Sequence, residues 1–348
     1  MNNVTSYWKS SVSDVGSIVS KIKRGKVVKS TLSAGGREVS LLLYGEKNNL
    51  YRTANLSSAL GASDRKCYAD KTHSDYRPTL LLVGCIHGGE FEGTMALLNL
   101  ISILETGNDL KGEPNEFLYK AQERINFLII PCMNPDGRAR IDFDSMVGKS
   151  FEELRFYNQG TWKDGSLCNW PDCKKIHPIK EYCDFMGAYF NDDGINFMHD
   201  DFFGKKAAET QLLFDTVDEF VPDLTVLLHG GTNCVSGILK PSYTPEWIKE
   251  KLMNLEKMVK RRNDELEIPY NITSLNRGEN DPTPASFNLI SALYHVCGEP
   301  CITYESNQGL TGCKLRGYTP EEIYKSHMVL FEESVKFTEG KEEKKYED

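Results

Sequence analysis

His87 and Glu90 stand three residues apart in the stretch Leu80–Glu92, LLLVGCIHGGEFE. An imidazole nitrogen and a carboxylate oxygen at that spacing, in a turn, can face one metal ion. Zinc accepts both donor types, and a catalytic zinc keeps one position open. The two glycines between them permit a close backbone approach that other residues resist. An H-x-x-E pair alone is common on helix surfaces, where a carboxylate such as Glu90 also suits the first turn. The surrounding elements therefore decide. Leu80 to Cys85 reads as a buried strand, and an amphipathic helix follows, with Met95, Leu97, Leu98, Leu100, Ile101 and Ile103 as its apolar residues.

Three later stretches have the same construction. Asn126–Arg140, NFLIIPCMNPDGRAR, is an apolar run ending in Asn134-Pro135-Asp136-Gly137. Leu224–Gly231, LTVLLHGG, carries His229 at its end, and Cys301–Gly309, CITYESNQG, carries Glu305. The carboxyl edge of an open α/β sheet is where sites assemble. His87, Glu90 and His229 make a His₂Glu set for one zinc ion, and Glu305 remains as a base. A buried core histidine is the plain alternative for His229 taken singly.

These motifs, in this order, resemble the M14 family of zinc metallocarboxypeptidases, the carboxypeptidase A-like enzymes, over roughly Val39 to Glu333. The resemblance rests on the H-x-x-E pair, the NPDG segment, the strand-end histidine and a glutamate after Thr-Tyr. It implies a three-layer α/β/α fold around a mixed sheet of roughly eight strands. It implies a zinc hydrolase of amide bonds in which Glu305 takes a proton from the attacking water and passes it to the leaving nitrogen. The family's arginine after the NPDG segment, which stabilises the oxyanion, points to Arg138 or Arg140, with Arg155 farther along and a candidate for substrate contact. Asp136 is either a hydrogen-bonding partner for His87 or a turn former. The family's Asn-Arg pair, which holds a peptide's terminal carboxylate, falls on Met198 and His199. Neither offers a guanidinium fork, although a protonated His199 would still bind an anion. The family's mobile tyrosine has no counterpart in Asn280–Phe287. Removal of C-terminal residues from peptides is the leading expectation. An amidase or deacylase acting on acylated amino acids or cell-wall-type peptides is the rival, and a catalytically silent binding protein is the third reading.

Composition narrows the partners. The chain has 348 residues and a net charge of −9, which disfavours a nucleic-acid partner. No stretch has the length and apolarity of a membrane span, and the N-terminus lacks a signal-like apolar core, so a cytoplasmic location is expected. Of ten cysteines, Cys85, Cys132 and Cys301 read as small buried residues. Cys168, Cys173 and Cys183 gather near His177 without the tight spacing of a zinc knuckle.

One domain over 1–338 is expected, followed by a charged, disordered tail at 339–348. Residues 1–30 read as loosely packed, with a short helix near Val15–Ile22. Val39–Leu43 reads as a strand. Ile141–Asn191 is aromatic-rich without a clean period, and an irregular stretch of that length is usually functional; it is expected to wall the cleft. Helices are expected at Ala207–Val221, Pro245–Asp264, Ala285–Val296 and Thr319–Thr338, and a short strand at Val235–Leu239. His73 and His327 are expected at the surface.

Overall fold

The computed structural model describes residues 6–231, 236–272 and 285–340. The strands among them are β1 (Lys26–Leu32), β2 (Glu38–Tyr44), β3 (Thr79–Val83), β4 (Asn126–Ile130), β5 (Gly160–Trp162), β6 (Cys183–Met186), β7 (Leu224–Gly231), β8 (Gly237–Leu239) and β9 (Cys301–Asn307). One mixed sheet of seven strands runs in the order β1-β2-β4-β3-β7-β9-β8, and β5 pairs with β6 in a separate ribbon. The sheet thus has seven described strands where roughly eight are expected.

Its centre is parallel: β4 with β3, β3 with β7, and β7 with β9. Parallel strands need both faces covered, and β3 and β4 are buried at every residue. Alternate side chains serve opposite layers. Leu80 and Leu82 pack with the helices Phe91–Thr106, Glu246–Glu265 and Pro320–Thr338. Leu81 and Val83 pack with the helices Ala208–Phe220 and Leu289–Cys297. Each fully buried aliphatic side chain contributes about 1.5–3 kcal/mol, so the two layers fix the register of the central strands. A slip by one residue would exchange their faces.

The helix ends follow their sequence signals. Thr319 caps Pro320–Thr338 in a capping box with Glu322. Ala208–Phe220 stops at Val221, which takes a left-handed conformation before Pro222. The N-terminal region departs from expectation in part: the short helix is present but starts earlier, and the strand β1 was not expected. Residues 12–19 form a helix, and β1 is a full strand paired antiparallel with β2 from Lys26–Leu43 to Leu32–Glu38. At the far edge, β8 begins at Gly237, and position 235 of the expected strand lies outside the described residues. The same holds for residues 341–348 of the expected tail and for positions 280–284 of the segment searched for a tyrosine.

The stretch 141–191 contains short pieces: the turn of helix Phe151–Leu154, a wide turn at Arg155–Gln159, and the β5–β6 ribbon. Two small apolar clusters hold it. Ile141, Met146, Leu154 and Ala188 pack with Phe91 and Leu310, and Cys168, Cys173, Ile179, Tyr189 and Phe190 pack together. Described cysteines are free thiols. No described helix is long and apolar enough to cross a membrane. His327 is fully buried, contrary to expectation, with its Nδ1 bonded to the Ile323 carbonyl at 2.8 Å.

Candidate metal centre

Because β3, β7 and β9 are neighbours, their carboxyl ends place His87, Glu90, His229 and Glu305 along one short edge. In the β7–β9 ladder, His229 is the register partner of Glu305. The turn after β3 is tightly enclosed. A Cβ on Gly88 would lie 2.2 Å from the Arg138 nitrogen, and one on Gly89 would lie 1.5 Å from Asn158 Oδ1. Only glycine fits between these walls. The Gly88 amide donates to the Ala188 carbonyl at 2.7 Å, which fastens the turn to the lobe.

Glu90 occupies the N-cap position of Phe91–Thr106, yet its side chain caps nothing. It is turned toward the imidazoles instead. Its Oε1 lies 2.9 Å from His87 Nδ1, and its Oε2 lies 2.9 Å from His229 Nδ1. All three side chains are buried. Burial alone would raise the Glu90 pKa, but the two imidazoles more than offset it and hold the carboxylate ionised. Burial would lower that of His229, while Glu90 and then Glu305 raise it.

One donor atom from each of His87, Glu90 and His229 falls within a 4.8 Å cluster. Glu90 Oε2 and His229 Nε2 are buried without a hydrogen bond. Buried polar atoms are rarely left so, and the separation of Glu90 Oε2 from His229 Nδ1 is short without hydrogen-bond alignment. Two imidazoles and one carboxylate suit a zinc ion of the open, catalytic kind. The residues present therefore fit that ion.

Glu305 is partly buried, and burial pushes its pKa above the usual carboxylate range, with Glu90 adding to the rise and His229 opposing it. Tyr189 stacks on His87 with ring centroids 4.1 Å apart. Behind the turn, Glu92 is fully buried and pushed up to about 8 by burial and then by Glu90. Gln308 reaches Glu92 and the Gly89 carbonyl at 3.4 Å, and both side-chain polar atoms of Asn158 lack partners.

The other candidate residues lie elsewhere. Asp136 sits in a short helix, Pro135–Ala139, capped by Asn134 rather than in a turn. It accepts from Ser33 Oγ, the Gly35 amide, Arg37 and the Asp192 amide, at 2.6 to 3.1 Å. The atom beside His87 Nε2 is Asn196 Oδ1, at 3.2 Å. Asn196 therefore holds the position considered for Asp136, because the NPDG helix points Asp136 toward the β1–β2 loop. The Asn196 amide in turn donates to His177 Nε2 at 2.8 Å.

Arg138 is buried and donates to the carbonyls of Ser10, Ile141 and Phe143 and to Asp144. Arg140 donates to the Gly187 and Phe190 carbonyls and to Asp192. Arg155 reaches the Cys168 carbonyl at 3.3 and 3.4 Å. These arginines tie loops together, and none of these hydrogen bonds reaches His87, Glu90 or His229, so the structure gives no support to Arg138 or Arg140 at an oxyanion or Arg155 at a substrate. His199 is partly buried, and burial, with Lys174, His87 and His177 next, depresses its pKa to about 3. The charge on which an anion-binding His199 depended is therefore absent near neutral pH.

Sequence reasoning missed Asn196 and Tyr189. Asn196 carried a signal, since it lies just before Met198 and His199, the positions on which the family's Asn-Arg pair falls. Tyr189 lies in the aperiodic stretch and had none.

A family model for zinc carboxypeptidases, peptidase family M14, matches residues 14–277, a span that includes His87, Glu90 and His229. No curated protein matches the chain. Among solved structures, a metallo-carboxypeptidase from Burkholderia cenocepacia superposes with a TM-score of 0.57 at 14% identity, over 92% of this chain and 66% of that one. A metallo-carboxypeptidase from Pseudomonas aeruginosa, in complex with (2-guanidinoethylmercapto)succinic acid, gives 0.56 at 12% identity, over 95% and 69%. Bovine thrombin-activatable fibrinolysis inhibitor, in complex with tick carboxypeptidase inhibitor, gives 0.54 at 11% identity, over 96% and 99%. The chain thus spans about two thirds of the two bacterial proteins. Sheet order, strand-end histidines and glutamates, and the span of the family match agree: the chain belongs to the M14 family of zinc carboxypeptidases.

Proposed function

We propose that the protein hydrolyses the C-terminal amide bond of peptides, with His87, Glu90 and His229 holding one zinc ion and Glu305 acting as the base. The observation that carries this reading is the buried His₂Glu cluster with unpartnered donor atoms, next to a glutamate in register with one of its histidines. A zinc ion bound there supplies Lewis acidity, which polarises the scissile carbonyl and makes water a nucleophile near neutral pH. Glu305 takes the proton of the attacking water. It then delivers that proton to the departing amine nitrogen. Asn196 and the stacked Tyr189 fix the plane of the His87 ring. The stretch 141–191, which carries Tyr189, walls the cleft within a single catalytic domain over 1–338.

A second reading, hydrolysis of an acylated amino acid or a related amide, is favoured by the absence of a guanidinium at positions 198 and 199. One digest separates the two. Zinc-loaded protein is incubated with peptides bearing free or amidated C-termini and with acylated amino acids, and the products are weighed by mass spectrometry. Stepwise loss of single C-terminal residues from the free peptides alone is expected. Cleavage of the amidated or acylated substrates in preference would replace the carboxypeptidase reading with the second.

A further inference from the structure

We propose that Lys174, seated on the indole of Trp170, is the residue that recognises the substrate's free carboxylate. The inference rests on the hydrolytic reading above and names the recognition device of the same site.

The observation is an ammonium without a counter-ion on a wall that leads to the centre. Lys174 Nζ lies 3.4 Å from the centroid of the Trp170 ring. It makes no hydrogen bond or ion pair with an oxygen among the described residues, and its neighbour Asp172 is paired with Lys175 at 2.8 Å. Trp170 meets Tyr189 edge to face, with centroids 6.4 Å apart, and Tyr189 stacks on His87. A continuous row of rings thus runs from a zinc-holding imidazole to the lysine. His199 is on the same wall, its ring 6.4 Å from that of Trp170.

The arginines near the centre are bound to carbonyls and carboxylates, whereas Lys174 has no such partner among the described residues; burial lowers its pKa to about 8, which leaves it largely charged at neutral pH. An ammonium is a compact point charge that binds a carboxylate without demanding a planar fork. An ammonium has three N–H donors, so the contact with one ring face leaves capacity for a carboxylate. Trp170 is 48% exposed, so its edge remains open to a substrate side chain. Arg155, through its contact with the Cys168 carbonyl, braces the loop that carries both residues.

The test compares an N-acyl dipeptide that ends in a free carboxylate with its C-terminal amide. Affinity for each is measured by calorimetry with wild-type, Lys174→Met and Lys174→Arg proteins, with turnover recorded on the zinc-loaded forms. Methionine keeps the stem on the indole and removes the charge. Binding of the acid is expected to weaken about ten- to a hundredfold in Lys174→Met, the worth of a charged hydrogen bond. Binding of the amide should stay unchanged, and Lys174→Arg should restore the acid to within a few fold. The change should fall on KM with kcat nearly constant. Equal affinity of wild type and Lys174→Met for the acid would overturn the proposal, as would a wild type that does not distinguish acid from amide. Acid-selective binding that depends on Lys174, without hydrolysis of either compound, would sink the hydrolytic reading and leave the recognition site standing.

Discussion

The edge of the parallel sheet and the lobe that follows β4 treat their polar groups differently. At the edge, Glu90 Oε2 and His229 Nε2 are buried and unpartnered inside a shell of apolar strands. In and beside the lobe, Arg138, Arg140 and Arg155 give their donors to backbone carbonyls and carboxylates. Asp136 and Asp192 are likewise engaged, each with Arg37. The sheet can carry unsatisfied atoms because its stability comes from two apolar layers. The lobe has short elements and small apolar clusters, so polar contacts must hold it together. Its exceptions are informative: Asn158 and Gln159 are the lobe residues with buried orphan atoms, and Asn158 presses on Gly89 of the ligand turn. Glu90, Glu92, Asn158, Gln159, His229 and Gln308 thus bring several buried atoms without hydrogen bonds to the place where the two regions meet.

Three substitutions probe that contrast. The largest effect belongs to the edge. Glu305→Gln should lower turnover by about 10²- to 10⁴-fold, the contribution of a positioned general base, with zinc content by elemental mass spectrometry unchanged. Turnover near the wild-type rate would remove Glu305 from the chemistry. Next comes the lobe. Arg138→Met should cost about 2–4 kcal/mol in urea unfolding, because several buried carbonyls lose a charged donor, while the folded fraction keeps its turnover within a few fold. A stable variant with turnover down a hundredfold would instead make Arg138 an oxyanion donor. The smallest effect belongs to the seam. Asn196→Ala should weaken zinc binding about 10- to 100-fold in a chelator competition, the usual cost of losing a ligand's hydrogen-bonding partner. Unaltered affinity would mean that Tyr189 alone suffices to orient His87.

The contrast also explains what could be read from the chain. LLLVG, NFLII, LTVLL and CITYE announce buried parallel strands by composition, and a ligand at a strand end is positioned by the strand itself. His87, Glu90, His229 and Glu305 were legible for that reason, and the structure brings them together. The family match covers the first three of these positions. The distant partners of Arg138 and Asp136, Ser10 and the 33–37 turn, were not legible, because they come from loops about a hundred residues away. Local sequence holds no record of such encounters. β1 was missed because KVVKSTL is partly exposed along its length and lacks a clean alternation. His327 misled because its helix, rich in charge near both ends, buries almost the whole middle stretch.

The diverted cap at Glu90 has a further consequence. A helix that gives up its N-cap carboxylate frays unless something else secures its first turn. Phe91–Thr106 is secured by burial of nearly every residue from Phe91 to Leu104, so its amides belong to the part of the protein slowest to exchange hydrogen with solvent. The turn that carries His87 is joined to that slow segment on one side and, through the Gly88–Ala188 bond, to the lobe on the other. The geometry of the turn is then expected to persist for as long as the core itself.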